Sequence, residues 1–290
     1  MLANNLKERL KKIGKGSTLD RVVSSFYLKN SLKKQQSPIL IYTSPKTGSS
    51  TVKTSLQSLY PNVPIYKVHY LSSRNIAISA NKYRKENNAN PPVIMRSKII
   101  GQEIEANPDL NWRIICLTRE PFGRAISALF QIIERRYPEF IDENGDVIID
   151  DAIALLTTEL NNFDRESNRI CQWFDEELKQ VFGIDVYEYP FDYEKGFTII
   201  NKDNIQVLVI RLENLSNCFA EAVSNLLDSS QDIQLINRNL SKNKRHFSAY
   251  KTCKQKIVLP ETVCQKICDS RYVKHFYSED ERKQLIEKYS

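Results

Sequence analysis

Short apolar runs alternate with longer amphipathic stretches along most of the chain. Four of the runs are rich in β-branched and aromatic residues, and they predict buried strands at 39–42, 64–70, 113–118 and 205–210. The stretches between and after them predict helices at about 50–60, 72–88, 93–106, 121–137, 150–162, 165–179, 214–227, 261–269 and 279–288. Strands that alternate with helices imply an α/β fold, a three-layer sandwich with a central parallel sheet.

The positive charge of the chain is concentrated at its start. The formal net charge is +7, and residues 1–37 alone hold nine Lys and Arg against two Asp and Glu. We therefore predict a basic N-terminal helical arm at 1–37, followed by a single neutral domain at 38–290. One face of the arm carries Leu2, Leu6, Leu10 and Ile13, so it can rest on anionic lipid or dock on the protein's own surface.

Charge and apolar content also limit the partners and the location. A neutral domain argues against a nucleic-acid partner, because such a partner needs a basic face. No apolar run approaches the ~20 residues of a membrane span, and the first residues lack the apolar segment of a secretory signal. We expect a cytoplasmic protein whose arm can make peripheral contact with a membrane. Six cysteines form no CxxC pair, so we expect reduced thiols and no metal.

A candidate phosphate-binding loop connects the first predicted strand to the first helix of the domain. It reads Ser44-Pro45-Lys46-Thr47-Gly48-Ser49-Ser50-Thr51. A loop of this kind directs backbone N–H groups towards one point at the positive end of a helix dipole. Gly48 allows the backbone to approach an anion closely, and Lys46 adds a full positive charge.

The loop differs from the GxxxxGK[ST] loop of ATP-binding and GTP-binding enzymes. Thr43 stands in place of the first glycine, and Lys46 precedes Gly48 instead of following it. The third and fourth predicted strands are followed by Arg119 and Arg211, where a Mg²⁺-binding enzyme would place an acidic residue. A P-loop kinase or NTPase that uses ATP and Mg²⁺ is therefore the less favoured interpretation.

The loop resembles the phosphosulfate loop of the sulfotransferases, which has the pattern PKxGSST. The resemblance implies a P-loop-like site for 3′-phosphoadenosine 5′-phosphosulfate (PAPS). It also implies that Lys46 stabilises the charge on the bridging oxygen when the bond to sulfur breaks. In that family the residues that correspond to Thr47, Gly48, Ser49, Ser50 and Thr51 hold the 5′-phosphate.

A second motif follows the third predicted strand. Residues 117–127 resemble the 3′-phosphate pattern of the same family, R(D/E)PxxRxxS. The resemblance implies that Arg119 and Ser127 bind the 3′-phosphate, whereas Arg124 is expected to be structural or exposed. Residues 209–215 resemble the RxExL turn after the fourth predicted strand of the family, where Glu213 is expected to have a structural role.

Transfer of a sulfuryl group to a hydroxyl needs a base. His69 ends the second predicted strand and resembles the histidine that some polysaccharide sulfotransferases use; Glu103 or Glu105 could serve instead. The segment 270–278 resembles bacterial capsular polysaccharide synthesis proteins, a sulfotransferase-like group, and this resemblance implies a glycan acceptor. We expect a PAPS-dependent sulfotransferase that needs no metal. A non-catalytic nucleotide-binding protein and a membrane-associated scaffold are two competing interpretations.

Overall fold

A five-stranded sheet forms the centre of the part of the chain that the structure describes. The computed structural model describes residues 38–87, 92–163, 170–229, 233–236 and 246–290, so the predicted arm at 1–37 lies outside the described residues. The strands have the order β2-β1-β3-β5-β4. They are β1 (Ile39–Tyr42), β2 (Ile65–Val68), β3 (Trp112–Thr118), β4 (Phe197–Lys202) and β5 (Ile205–Arg211).

Helices separate most of the strands along the chain. The α-helices are α1 (Ser49–Leu59), α2 (Ser73–Asn87), α3 (Pro92–Ala106), α4 (Pro121–Arg136), α5 (Ile149–Asn161), α6 (Leu215–Leu227), α7 (Phe247–Lys256), α8 (Glu261–Cys268), α9 (Arg271–Phe276) and α10 (Glu279–Tyr289). Pro121 occupies the first turn of α4, where its missing N–H is not needed. None of the described helices is long and apolar enough to cross a membrane.

The prediction of an α/β fold with a central parallel sheet is confirmed for four of the five described strands, and β4 makes the sheet mixed. Strands β2, β1, β3 and β5 pair in parallel, whereas β4 pairs with β5 in the antiparallel direction. Lys202 pairs with Ile205, so the two strands form a hairpin with a two-residue turn. Asp203 adopts φ 51° in this turn, a conformation that Asp tolerates better than most residues.

Both faces of the sheet are buried under helices. Leu40 and Tyr42 of β1 point into a core that includes residues of α3, α4 and α5. Ile39 and Ile41 point the other way, into a core that includes residues of α1 and α6. Side chains alternate between the two faces of a strand, so burial on both sides explains why the central strands are almost continuously apolar.

The helix predicted at 165–179 is only partly present where the structure describes it, because residues 170–172 form a turn, and residues 165–169 lie outside the described ranges. The described part contains a π-helix at Phe174–Lys179, which continues into a short α-helical segment at Gln180–Phe182. A π-helix places its hydrogen-bond partners five residues apart, and it is rare and frequently found at functional sites. Periodicity at 3.6 residues does not reveal such a segment, because the local pattern of apolar residues is nearly the same.

The parallel strands direct their carboxyl ends towards one edge of the sheet, where open α/β sheets bind ligands. The C-terminal helices are fixed to this edge by Arg211, the last residue of β5, which is 2% exposed. Its guanidinium donates to both carboxylate oxygens of Glu281 at 2.7 Å and to the carbonyl oxygen of Phe276 at 3.1 Å. A buried arginine with these partners has a structural role.

Candidate active site

The loop between β1 and α1 has a backbone that depends on glycine. Lys46 and Gly48 both adopt positive φ angles, of 72° and 95°. A Cβ atom on Gly48 would lie 2.6 Å from Cδ1 of Leu212, so a larger residue would meet both backbone strain and a steric clash. The conformation of Lys46 costs a non-glycine residue about 1 kcal/mol or more, and residues strained in this way cluster at ligand sites.

Two buried threonines fix the conformation of the loop. The Thr43 hydroxyl donates to the carbonyl oxygen of Leu117 at 2.8 Å and accepts from its N–H at 3.1 Å, which ties the loop to β3. The Thr47 hydroxyl donates to the carbonyl oxygen of Ser44 at 2.8 Å and is fully buried. Thr47 therefore has only its backbone N–H to offer to a ligand.

The start of α1 has N–H groups that can receive an anion. Gly48 precedes the helix and provides no side-chain cap. The N–H of Thr51 donates to the carbonyl oxygen of Gly48 at 3.0 Å, whereas those of Ser49 and Ser50 have no acceptor among the described residues. These donors lie at the positive end of the helix dipole, as in known phosphate sites.

Arg119 contacts this loop from the end of β3. Its Nη1 donates to the carbonyl oxygen of Lys46 at 3.0 Å, and its Nη2 donates to the hydroxyl of Tyr250 at 3.3 Å. Both the N–H and the carbonyl oxygen of Arg119 bond to the hydroxyl of Tyr272 at 3.0 Å. The two candidate nucleotide motifs therefore meet in space, as their positions on adjacent parallel strands predict.

The rest of the second motif lies on α4. Ser127 is half-buried there, and no hydrogen bond joins it to Arg119 in the part of the chain that the structure describes. Arg124 is also half-buried, and its Nε has no hydrogen-bond partner among the described residues. Burial lowers the pKa of Arg124 from its usual value. This partly buried position fits the structural alternative of the expectation for Arg124 better than the exposed one.

Glu120 and Glu213 join the motif to the C-terminal helices. Both carboxylate oxygens of Glu120 accept from the N–H of Gly123, at 2.9 and 2.8 Å, which caps α4. Burial, together with the nearby Glu213, raises the pKa of Glu120 to about 7. Glu213 accepts from the N–H of Glu120 at 2.9 Å and from the hydroxyl of Tyr277 at 3.2 Å. These contacts give Glu213 the structural role that the sequence predicts.

His69 lies directly after β2 and contacts Thr43, the residue that connects β1 to the loop. Its Nδ1 is 2.7 Å from the carbonyl oxygen of Thr43. A carbonyl oxygen only accepts, so Nδ1 carries the proton and Nε2 is the nitrogen that can take one. Burial lowers the pKa of His69 to about 4, with a smaller effect in the same direction from Lys67. The imidazole is therefore neutral at pH 7, as a base requires.

Glu103 and Glu105, the two alternatives to His69 as the base, both lie on α3. Glu103 is 9% exposed, and its carboxylate accepts from Nδ2 of Asn107, one turn further along the chain, at 3.3 Å. Glu105 is exposed and lines a cavity of about 420 Å³ between α2 and α3. Neither has a hydrogen bond to His69 or to the loop in the described part of the chain. His69 is therefore the better-placed candidate.

A buried carboxylate that sequence analysis missed fixes the chain after His69. Glu177 of the π-helix is fully buried. It accepts from the N–H groups of Leu71 and Ser72 at 2.6 and 3.0 Å, and from Nδ2 of Asn75 at 2.7 Å. The hydroxyls of Ser72 and Tyr42 also donate to it. In the sequence, Asp175-Glu176-Glu177 is typical of a solvent-exposed helix face, so no local pattern predicts that Glu177 is buried.

Trp173 adds a second contact from the same segment. Its Nε1 donates to the carbonyl oxygen of His69 at 2.8 Å, and its ring packs edge-on against Tyr42 at 4.7 Å between centroids. Trp173 and Glu177 thus hold the two ends of the turn that follows β2. They are four residues apart on one helical segment, so both side chains reach this turn.

The comparisons with known proteins concern the second half of the chain. Residues 140–278 match the family model NKWYS, described as "Putative capsular polysaccharide synthesis protein". The chain is similar to that family over just under half of its length. No curated protein matches the chain, and no solved structure matches it.

The matched region contains residues that hold the candidate site in place, but it does not contain the phosphate-loop candidate. Trp173, Glu177 and Tyr272 lie within it, whereas the phosphate-loop candidate, His69 and Arg119 precede it. The similarity supports a link to polysaccharide biosynthesis.

Among the residues that the structure describes, no group of three or more His, Cys, Asp or Glu is arranged to hold a metal ion.

Proposed function

We propose that this protein is a PAPS-dependent sulfotransferase whose acceptor is a hydroxyl group of a polysaccharide. One observation carries the proposal. The loop after β1 presents uncapped helix N–H groups. Arg119, at the end of β3, bonds to Lys46 of this loop, and the neutral His69, at the end of β2, bonds to Thr43 just before it. This combination suits a phosphate-containing donor beside a base.

The donor is bound by the two motifs together. The N–H groups of residues 47–50 and the Ser49, Ser50 and Thr51 hydroxyls hold the 5′-phosphate at the start of α1. Arg119 and Ser127 hold the 3′-phosphate. A guanidinium has five N–H donors, and two of those on Arg119 bond to other described residues, which leaves three that no described residue uses and that can bind the phosphate.

The reaction is a direct transfer. Nε2 of His69 takes the proton of the acceptor hydroxyl while that oxygen attacks the sulfur of PAPS. The bond between sulfur and the bridging phosphate oxygen breaks, and the leaving group is 3′,5′-adenosine bisphosphate. Lys46 stabilises the negative charge that develops on the bridging oxygen, and the helix N–H groups stabilise the 5′-phosphate.

Ligand-induced thermal stabilisation tests the donor class. The 3′,5′-bisphosphate at about 100 times its Kd should stabilise the protein by about 2.7 kcal/mol, which corresponds to a rise in Tm of several degrees. ATP with Mg²⁺ should give no comparable rise. If ATP with Mg²⁺ stabilises the protein and the bisphosphate does not, the protein is a kinase or NTPase and the sulfotransferase proposal is overturned.

Replacement of Arg119 by alanine should weaken binding of the bisphosphate by about tenfold to a hundredfold, because charge-assisted hydrogen bonds contribute roughly 1.5–3 kcal/mol. Isothermal titration calorimetry measures the change. Arg113→Ala is the matched control, since Arg113 is half-buried at the opposite end of the same strand. Equal affinities in the two variants would exclude Arg119 from the donor site.

The pH dependence of kcat/KM tests His69. The rate should stay nearly constant from about pH 8 to about pH 5 and fall only as the pH approaches 4, because the neutral form of His69 persists down to its pKa of about 4. The profile is measured with saturating PAPS and a glycan acceptor. A fall in rate centred near the ordinary pKa of histidine, about 6.5, would contradict a buried base at this position.

A further inference from the structure

Three positively charged side chains come from elements that pack together at the edge of the sheet next to the candidate loop. Lys53 comes from α1, Lys67 from the edge strand β2, and Arg96 from α3. All three are half-buried. We refer to them as the edge cluster. Because they come from three different elements, the tertiary fold and not a local run of basic residues brings them together.

The edge cluster forms no ion pair with a described carboxylate. Within the described ranges, no carboxylate lies within 4 Å of any of its three side chains. Burial lowers the pKa of each of them, and the charge of Arg96 lowers the pKa values of Lys53 and Lys67 further. Partly buried charges of the same sign are costly unless a counter-charge is present. The edge cluster therefore favours an anionic ligand.

The position of the edge cluster relates it to both halves of the proposed reaction. Nζ of Lys67 donates to the hydroxyl of Ser50 in the loop at 2.9 Å. Lys67 also precedes His69 by two residues, and its charge contributes to the lowered pKa of His69, so the two side chains lie near each other. An anion held by the edge cluster would thus lie beside the base.

We propose that the edge cluster binds an anionic group of the acceptor, either the carboxylate of an acidic sugar or the phosphate of a phosphodiester-linked glycan. This proposal rests on the proposed function, because it assumes that the loop binds the donor. It assigns the substrate class: the protein acts on an acidic polysaccharide and binds one of its charged groups near the hydroxyl that receives the sulfuryl group.

The test uses Lys53 and Arg96 and leaves Lys67 unchanged. Lys67 touches the loop through Ser50, so its loss would disturb the donor as well. The double variant Lys53→Met, Arg96→Met removes two charges and keeps most of the apolar length of the side chains. Lys283→Met on α10 is the matched control, because Lys283 is an exposed lysine that pairs with Glu279 on the same helix.

Three oligosaccharides of equal length serve as probes: one neutral, one containing uronic acid and one containing phosphodiester links. Calorimetry measures their binding to the protein with 3′,5′-adenosine bisphosphate bound. At least one anionic probe should bind wild-type protein more tightly than the neutral probe does. The double variant should lose about tenfold or more of that affinity, whereas the Lys283→Met variant should lose none. The anionic probe that binds identifies the charged group.

Unchanged affinity of the double variant for the anionic probe would overturn the proposal, and so would either of two further results. The first is equal binding of neutral and anionic probes to wild-type protein. The second is an equal loss of bisphosphate affinity and anionic-probe affinity in the double variant, which would make the edge cluster part of the donor site. Failure of the wild-type protein to bind the bisphosphate would instead refute the proposed function, and the titrations without glycan detect it separately.

Discussion

Replacement of Lys46 by alanine should lower kcat by about a hundredfold to a thousandfold while the protein stays folded. The expected loss follows from the role of Lys46, since removal of one group that stabilises charge in the transition state has this size of effect. Affinity for the bisphosphate should fall much less, because residues 47–51 and Arg119 retain their contacts. Release of 3′,5′-adenosine bisphosphate from PAPS in the presence of an acidic glycan measures the rate.

Two further variants make this prediction specific. Lys46→Arg keeps the charge but changes its geometry, and it should recover only part of the activity. Lys283→Ala removes an exposed lysine far along the chain and should leave kcat unchanged. Turnover of the Lys46→Ala variant at the wild-type rate would show that Lys46 stabilises no charge in the reaction.

Replacement of Glu177 by glutamine should lower the free energy of unfolding by about 3 kcal/mol or more. The carboxylate of Glu177 is fully buried and accepts hydrogen bonds from five donors on Tyr42, Leu71, Ser72 and Asn75. An amide has a single acceptor oxygen and directs an NH₂ group towards some of these donors. Each buried donor left without an acceptor costs roughly 1–3 kcal/mol. Urea denaturation and the Tm measure the loss.

The neighbouring Glu176 provides the control. It is only partly buried, accepts from Nδ2 of Asn75 at 3.1 Å, and lies 3.6 Å from the guanidinium of Arg74. Glu176→Gln should therefore change stability by no more than about 0.5 kcal/mol. Equal stabilities of the two variants would contradict the role given to Glu177.

Glu177 should also position His69, and amide hydrogen exchange of the turn after His69 tests this role separately from stability. In the Glu177→Gln variant, the N–H groups of Leu71 and Ser72 should exchange with solvent faster, because they lose a charged acceptor. If the turn shifts, kcat should fall more than KM rises. Unchanged exchange at Leu71 and Ser72 would show that other contacts hold the turn.

The sequence by itself determined the features that depend on a few consecutive residues. The strands β1, β3 and β5 are almost continuously apolar, so their burial on both faces could be predicted. Pro121 marked the start of α4, and the position of Gly48 between a strand and a helix predicted the turn of the loop. Such preferences act locally and need no knowledge of the rest of the fold.

The tertiary structure alone decided which distant residues meet. The direction of β4 depends on its pairing with β5 and not on its own composition. Glu177 lies more than 100 residues from the turn that it holds, and Tyr272 lies 153 residues from Arg119. Lys53, Lys67 and Arg96 are ordinary surface residues in the sequence, and they become a candidate anion site only because α1, β2 and α3 meet at one edge of the sheet. Burial and charge proximity are properties of the packed chain, so no local pattern encodes them.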